Sequence, residues 1–101
     1  MNQPEAAVVT IRLSGEFDIA TRDRLASLLR PAELADTAII DMSETTYMDS
    51  TALSCLIHLK KQLLQRDGAV HLVGVRPNVR RVFTICKLDE LFEIRDLETT
   101  R

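Results

Sequence analysis

The fold of this chain is decided by the stretch Ile39-Ile40-Asp41-Met42-Ser43-Glu44-Thr45-Thr46-Tyr47-Met48-Asp49-Ser50-Thr51-Ala52-Leu53. It begins as an apolar run that stops at Asp41, and a polar connection follows. Asp49 and Ser50 then stand before a long amphipathic segment that ends near Arg66. This order predicts a strand, a loop and a helix, with the Ser50 hydroxyl at the start of the helix. Free backbone N–H groups and a partial positive charge at that end favour an anion such as a phosphate.

Several elements are predicted before this helix. Residues 8–13 alternate between apolar and polar side chains, which indicates a strand with one wet face. Residues 14–16 predict a turn, and Thr21 is expected to be the N-cap of a helix that Pro31 ends or kinks. The run from Thr37 to Met42 does not alternate, and it therefore predicts a short strand that is covered on both faces.

The segment from Ser50 to Arg66 is the strongest helix prediction in the chain. A helical projection places one group of side chains toward the core: Leu53, Leu56, Ile57, Lys60, Leu63 and Leu64. Gly68 is expected to terminate the helix. After it, the sequence predicts a strand over residues 70–75, a helix that begins at Pro77 and carries Cys86 in its core stripe, and a strand over residues 91–94.

This alternation of strands and helices predicts an α/β fold. We expect a mostly parallel sheet of four to five strands with helices packed on it. With 101 residues, of which 46% are hydrophobic, the chain is expected to form a single domain over residues 1–101.

Composition argues against several functional classes. The formal net charge is −2, from 13 basic and 15 acidic residues, which does not favour a nucleic-acid partner. The three glycines are too far apart for a phosphate-binding loop, so no nucleotide cofactor is expected. We expect no membrane insertion and a cytoplasmic location, because neither a long apolar run nor a signal-peptide pattern occurs. Cys55 and Cys86 are expected to be thiols.

Metal and hydrolase sites are also disfavoured. The acidic residues Glu16, Asp18, Glu44 and Asp49 lack a nearby histidine and show no ligand spacing, so we expect no metal. Cys55 and His58 are three residues apart on the helix, which is weak evidence for a shared metal. A serine hydrolase is excluded by the lack of a Gly-x-Ser-x-Gly elbow.

Asp49 and Ser50 admit two interpretations. In the first, Ser50 is an ordinary helix cap whose hydroxyl accepts a backbone N–H bond worth about 1 kcal/mol. In the second, Ser50 belongs to a functional site, because it follows a strand at the carboxyl end of the sheet, where open α/β sheets bind their ligands. The residues alone favour the cap.

Several motifs resemble the signature of the STAS domain, and specifically that of bacterial anti-sigma factor antagonists. These motifs are Gly15-Glu16-Phe17-Asp18, Thr21, Asp41-Met42-Ser43 and Tyr47-Met48-Asp49-Ser50-Thr51-Ala52-Leu53. Residues 76–83 and 88–92 are also similar to later segments of that family. The resemblance covers about residues 8–95, and its most specific part is the Asp-Ser-Thr segment that follows Tyr47-Met48.

The resemblance implies a non-enzymatic protein that switches partners. In the family, a partner anti-sigma factor, itself a serine kinase of the histidine-kinase ATPase type, phosphorylates the serine that follows the aspartate. That position is Ser50 here, with Thr51 as a reserve acceptor. The unphosphorylated antagonist binds the anti-sigma factor and frees the sigma factor, and a metal-dependent serine phosphatase resets the switch. Asp18 and Asp49 would flank the acceptor.

The resemblance also implies a partner-binding surface. The expected residues are Glu16, Asp18, Met48, Asp49, Ser50, Thr51, Ala52, Ser54 and Cys55. Ala52 and Ser54 stand where the family usually has glycine, which bears on how closely a partner can approach. The acidic residues near Ser50 would make an added phosphate unfavourable at an interface.

Two alternatives come from the same family. STAS-like domains also serve as small subunits that brace the ATPase of ABC-type lipid transporters, where the helix would dock permanently. A stressosome or scaffold component would assemble into large particles, whereas the switch would operate as a monomer or weak dimer.

Overall fold

Strands and helices alternate throughout the part of the chain that the structure describes. The structure, a computed structural model, describes residues 7–95. In chain order the elements are β1 (Val8–Phe17), α1 (Arg22–Leu29), β2 (Thr37–Met48), α2 (Ser50–Leu64), β3 (Ala69–Val73), α3 (Pro77–Ile85) and β4 (Glu93–Arg95). Short 3-10 segments, Ile19–Thr21 and Arg30–Leu34, flank α1. Pro77 is the first residue of α3, as predicted.

The four strands form one parallel sheet in the order β1-β2-β3-β4. The row Ile11, Ile40, Leu72 and Ile94 runs across all four strands. This arrangement confirms the predicted α/β fold and gives four strands. Because each crossover advances the sheet in the same direction, right-handed connections place the three helices on one face. The carboxyl ends of the strands therefore share one edge, and their amino ends share the other.

The burial pattern of β2 shows this one-sided packing. Ala38, Ile40 and Met42 are fully buried, whereas the intervening residues Ile39 and Asp41 are only partly buried. The prediction that residues 37–42 are covered on both faces was therefore wrong, because helices cover only one face of the sheet.

The core face of α2 differs from the prediction, most clearly at Ala52, Leu59 and Leu64. Its buried residues are Ala52, Leu53, Leu56, Leu59 and Leu63. Leu59, which the helical projection left out, is buried, and Leu64, which it included, is 53% exposed. Cys86 was also wrongly placed in the core, because α3 ends before it and leaves it exposed.

Both β1 and β2 are longer than predicted. The expected turn at residues 14–16 is a continuation of β1 to Phe17, with irregular register on each side of Ser14 and Gly15. Gly15 adopts a positive φ of 96°, which a glycine tolerates without strain. The expected polar connection after Asp41 is likewise strand. Thr45 is fully buried there, and its hydroxyl donates to the Leu13 carbonyl oxygen at 2.8 Å. This bond lets a polar residue occupy the interior.

Gly68 follows α2, but for a reason other than the predicted one. Its N–H donates to the Leu63 carbonyl oxygen at 2.7 Å, while the residue with positive φ is Asp67. A Cβ atom at Gly68 would lie 2.6 Å from the Asp36 carbonyl oxygen. Position 68 therefore requires glycine because two backbone segments approach closely there.

Candidate partner-binding site

Two strand ends meet at the carboxyl edge of the sheet. Phe17 and Met48 are register partners, and the Asp49 N–H donates to the Phe17 carbonyl oxygen at 3.1 Å. Asp18 and Asp49 follow these two residues directly. The structure therefore brings together two acidic positions that are distant in sequence, as the resemblance implied.

Asp49, and not Ser50, is the N-cap of α2. The Asp49 backbone is extended, and its carboxylate Oδ1 accepts a hydrogen bond from the Ala52 N–H at 3.0 Å. Ser50 is the first helical residue and is exposed. Within residues 7–95, no side-chain hydrogen bond involves the Ser50 hydroxyl. The interpretation of Ser50 as the cap was therefore wrong. Its hydroxyl takes no part in the hydrogen bonds that hold the start of α2.

Asp18 plays a similar part on the neighbouring strand. Its carboxylate Oδ1 accepts hydrogen bonds from the N–H groups of Ala20 and Thr21, at 3.0 and 3.1 Å. The Thr21 hydroxyl accepts in return from the Asp18 N–H at 2.9 Å, which completes a capping box. Thr21 precedes α1 as predicted, but its side chain makes no cap bond to that helix. Asp18 and Asp49 thus fix the two loops beside Ser50.

Glu44 is separate from these two aspartates. It accepts a hydrogen bond from the Ser14 hydroxyl at 2.9 Å and lies 3.9 Å from an Arg12 guanidinium nitrogen. The same guanidinium lies 3.5 Å from Asp41. The charge of Glu44 is therefore paired within the sheet, and this residue does not join the acidic group expected at the carboxyl edge.

Asp41 has a lowered pKa. Burial of the carboxyl raises the pKa, but the hydrogen bonds from Ser43 and the nearby Arg12 guanidinium lower it by more. The Ser43 N–H donates to Asp41 Oδ1 at 2.9 Å. Asp41 is therefore ionised at neutral pH. Its partners, Arg12 and Ser43, lie within β1 and β2 and not at the carboxyl edge where Ser50 lies.

The second half of β2 is tied to the start of α3. Arg76 Nε donates to the Ser43 carbonyl oxygen at 2.9 Å, and Asn78 Nδ2 donates to the Thr46 carbonyl oxygen at 2.8 Å. These bonds hold the strand that leads to Ser50. Arg80 and Arg81 are exposed on α3.

Three of the predicted partner-binding residues line a groove between α1 and α2. The groove has a volume of about 520 Å³, and Thr51, Ser54 and Cys55 form part of its α2 wall. Arg22 and Ala26 lie on the α1 wall, and His58 lines it further along α2. The groove therefore begins one residue after Ser50 and follows the helix. Within residues 7–95, no three potential ligands come together as a metal site, so the Cys55–His58 pair has no third partner.

Burial separates the predicted surface residues into two groups. Met48 and Ala52 are 1% and 0% exposed, so their side chains belong to the core and are not available to a partner in this structure. Two large apolar residues near the carboxyl edge were missed as surface residues: Ile19 is 73% exposed and Tyr47 is 47% exposed. No alternation in the sequence marks Tyr47 as exposed, because burial along β2 stops alternating after Met42, where the strand was expected to end.

Fold and site define a small α/β domain in which a helix begins with an exposed serine at the carboxyl edge of a parallel sheet. The sequence profile of the STAS domain matches residues 2–100, and the chain belongs to the STAS domain family. No helix within the described residues is long and apolar enough to cross a membrane.

Individual proteins agree with this assignment. The chain is 30% identical over 92 residues to the anti-sigma-B factor antagonist of Listeria monocytogenes, covering 89% of this chain and 81% of that protein. The structure of the anti-sigma factor antagonist SpoIIAA in its unphosphorylated form superposes with a TM-score of 0.76 at 23% identity, covering 97% and 88% of the two chains. A sulfate transporter family protein from Wolinella succinogenes has a TM-score of 0.74 at 19% identity, covering 90% and 79%. These two structures show the shared fold.

Proposed function

We propose that this protein is an anti-sigma factor antagonist whose binding to an anti-sigma factor is controlled by phosphorylation of Ser50. The observation that carries the proposal is that Asp49 and Ser50, although adjacent, have different roles at the start of α2. Asp49 caps α2, which leaves the exposed Ser50 hydroxyl for chemistry. The names of two curated relatives, both anti-sigma-B factor antagonists, support the same role.

The partner we propose is a serine kinase of the histidine-kinase ATPase type, which uses ATP to phosphorylate Ser50. The antagonist itself supplies the hydroxyl and the docking surface and performs no catalysis. A metal-dependent serine phosphatase would restore the unphosphorylated form. Thr51 lines the groove and is only partly exposed, which makes Ser50 the better acceptor of the two.

The added phosphate is expected to act at the interface and not on the fold. It carries about −1.5 to −2 charges at neutral pH. At the N-terminus of α2 this charge is locally favourable by about 0.3–1 kcal/mol, so the domain stays folded. Within an interface, however, the phosphate would be desolvated beside Glu16, Asp18 and Asp49, and an unpaired charge buried there costs several kcal/mol. Each 1.4 kcal/mol corresponds to about a tenfold loss of affinity.

The test compares Ser50→Ala, Ser50→Asp and wild type as baits in lysate of the native cells, with bound proteins identified by mass spectrometry. We expect wild type and Ser50→Ala to recover a histidine-kinase-like ATPase and Ser50→Asp to lose it. Ser27→Asp, which adds the same charge at an exposed position of α1, should behave as wild type. The purified ATPase with ATP should then add one phosphoryl group to wild type and to Thr51→Ala, but none to Ser50→Ala.

Recovery of an ABC-type ATPase by all baits would contradict this proposal, because a permanently docked transporter subunit would not respond to charge at Ser50. Equal binding of the kinase by Ser50→Ala and Ser50→Asp would contradict the switch while leaving the partner in place.

A further inference from the structure

We propose that Ile19 and Tyr47 are the apolar anchors by which the partner recognises this protein, and that they determine its specificity. This inference rests on the proposed function and adds two residues to it. The partner surface that fits them has an apolar pocket for each side chain and basic groups around those pockets.

Ile19 is held outward by the capping box. It lies between Asp18, whose carboxylate accepts from Ala20 and Thr21, and the remainder of the 3-10 segment. The side chain is 73% exposed on a backbone fixed from both sides. Binding to a fixed residue loses little conformational entropy, which is why rigidly held apolar residues make effective anchors.

Tyr47 is held by the sheet. It pairs with Glu16 across β1 and β2, and the Thr46 carbonyl oxygen beside it accepts from Asn78. Its neighbour Met48 is buried, so the pleat of the strand turns Tyr47 to the opposite side. Tyrosine is enriched among residues that dominate binding energy, because it offers a large contact area with few rotatable bonds.

Both anchors lie near the carboxyl edge of the sheet. The hydrogen bond from the Asp49 N–H to the Phe17 carbonyl oxygen joins the two loops, and each anchor is two residues from one of its ends. Ser50 follows Asp49 directly. A partner that docks at the Ser50 hydroxyl therefore meets an edge of the sheet that carries both side chains.

The acidic residues near Ile19 and Tyr47 indicate which side chains the partner has around its pockets. Asp18 precedes Ile19, Glu16 is the register partner of Tyr47, and Asp49 follows Tyr47 by two residues. Glu44 is instead paired with Arg12. Acidic groups around apolar anchors favour a partner with basic side chains at the same positions. A phosphate on Ser50 would compete for those basic groups and add charge beside the anchors.

The other exposed apolar residues of the described chain lie elsewhere. Val8, Leu34 and Leu64 lie at the amino ends of β1 and β2 and at the end of α2. Ile85 and Leu91 lie at the end of α3 and beyond it. Ile85 is 71% exposed, almost the same as Ile19, and it supplies a matched control at a distance from Ser50.

The experiment measures the affinity of the ATPase recovered with wild type, purified and loaded with ADP, for Ile19→Asp, Tyr47→Ala and Ile85→Asp. We expect Ile19→Asp and Tyr47→Ala each to weaken binding roughly tenfold or more, and Ile85→Asp to change it less than about twofold. Circular dichroism and thermal melting are used to check that each variant is folded. Ile19→Ser is a milder change at the same position.

Equal affinities of Ile19→Asp and Ile85→Asp would overturn the inference, yet the proposed function would stand if Ser50→Asp still lost the kinase. A second copy of the chain on this surface would also overturn it. In that case light scattering would show a dimer for wild type that Ile19→Asp converts to monomer. If wild type binds no such ATPase, the proposed function fails, and this inference fails with it.

Discussion

The two edges of the sheet are built differently. At the amino edge, backbone groups hold the strands together: the Asp36 N–H donates to the Ala7 carbonyl oxygen, and the Ala69 N–H donates to the Asp36 carbonyl oxygen. The Arg66 guanidinium adds bonds to the carbonyl oxygens of Glu33 and Ala35. At the carboxyl edge, one backbone bond from the Asp49 N–H to the Phe17 carbonyl oxygen joins β1 to the end of β2, and the carboxylates of Asp18 and Asp49 each cap the segment that follows.

This difference suggests how the molecule separates stability from recognition. At the amino edge, backbone segments lie so close together that a larger side chain cannot be added without moving them. At the carboxyl edge, the two short side chains of Asp18 and Asp49 make the cap bonds, and the Ser50 hydroxyl is not needed for them. Substitutions at the amino edge should therefore alter stability without altering binding, and substitutions of the exposed residues around Ser50 that make no cap bond should alter binding with little effect on stability.

Gly68→Ala should give the largest loss of stability among the changes considered. Its Cβ would meet the Asp36 carbonyl oxygen at 2.6 Å, and relieving that contact moves backbone at the amino edge. We expect a loss of about 1–3 kcal/mol in the free energy of unfolding, measured by urea denaturation. Binding of the partner by the folded fraction should be unchanged, and a loss of affinity in the folded protein would contradict the separation of the two edges.

Asp49→Ala should cost less, about 1 kcal/mol of unfolding free energy, because it removes the N-cap of α2. Asp49→Asn is the matched control, since asparagine caps a helix about as well while it removes the charge. Chemical denaturation of the two variants separates the contribution of the cap hydrogen bond from that of the Asp49 charge. A stability loss in Asp49→Asn equal to that in Asp49→Ala would show that the charge, and not the cap, stabilises the helix.

The smallest effect is expected from the pH dependence of Asp41. Because the pKa of this carboxyl is lowered in the folded protein, its contribution to stability is fully present above the unfolded-state pKa of about 3.9. The contribution is lost as pH falls through the lower folded-state pKa. Wild type should therefore be more stable than Asp41→Asn at about pH 6, and the difference should shrink toward about pH 3.

Thermal melts across that pH range check this expectation. Arg12→Ala should reduce the pH dependence in part, because Arg12 is one of the two groups that lower the Asp41 pKa. A stability difference between wild type and Asp41→Asn that stays constant with pH would contradict the assignment.

Most of the fold could be predicted from the sequence because the periodicities are strong. The α2 pattern and the glycine and proline positions set the order of elements, and the parallel sheet followed from their alternation. The lengths of β1 and β2 could not be predicted, because Thr45 and Ser14 look like loop residues until their partners across the sheet are known.

The candidate site, too, could be predicted from the sequence only in part. Asp18, Asp49 and Ser50 could be identified through the family resemblance, and the structure brings them to one edge. Which residue caps α2 depends on one hydrogen bond to Ala52, and no pattern distinguishes Asp49 from Ser50 for that role. The exposure of Ile19 and Tyr47 likewise depends on the capping box at Asp18 and on the irregular register between β1 and β2, which only the folded chain defines.

The most direct test of the account is the affinity of the proposed anti-sigma factor kinase for this protein, measured with Ser50 unmodified and with Ser50 phosphorylated. The account predicts that the phosphorylated form binds at least about tenfold more weakly while its melting temperature stays within a few degrees. Equal affinity of the two forms would contradict a phosphorylation-controlled switch at Ser50.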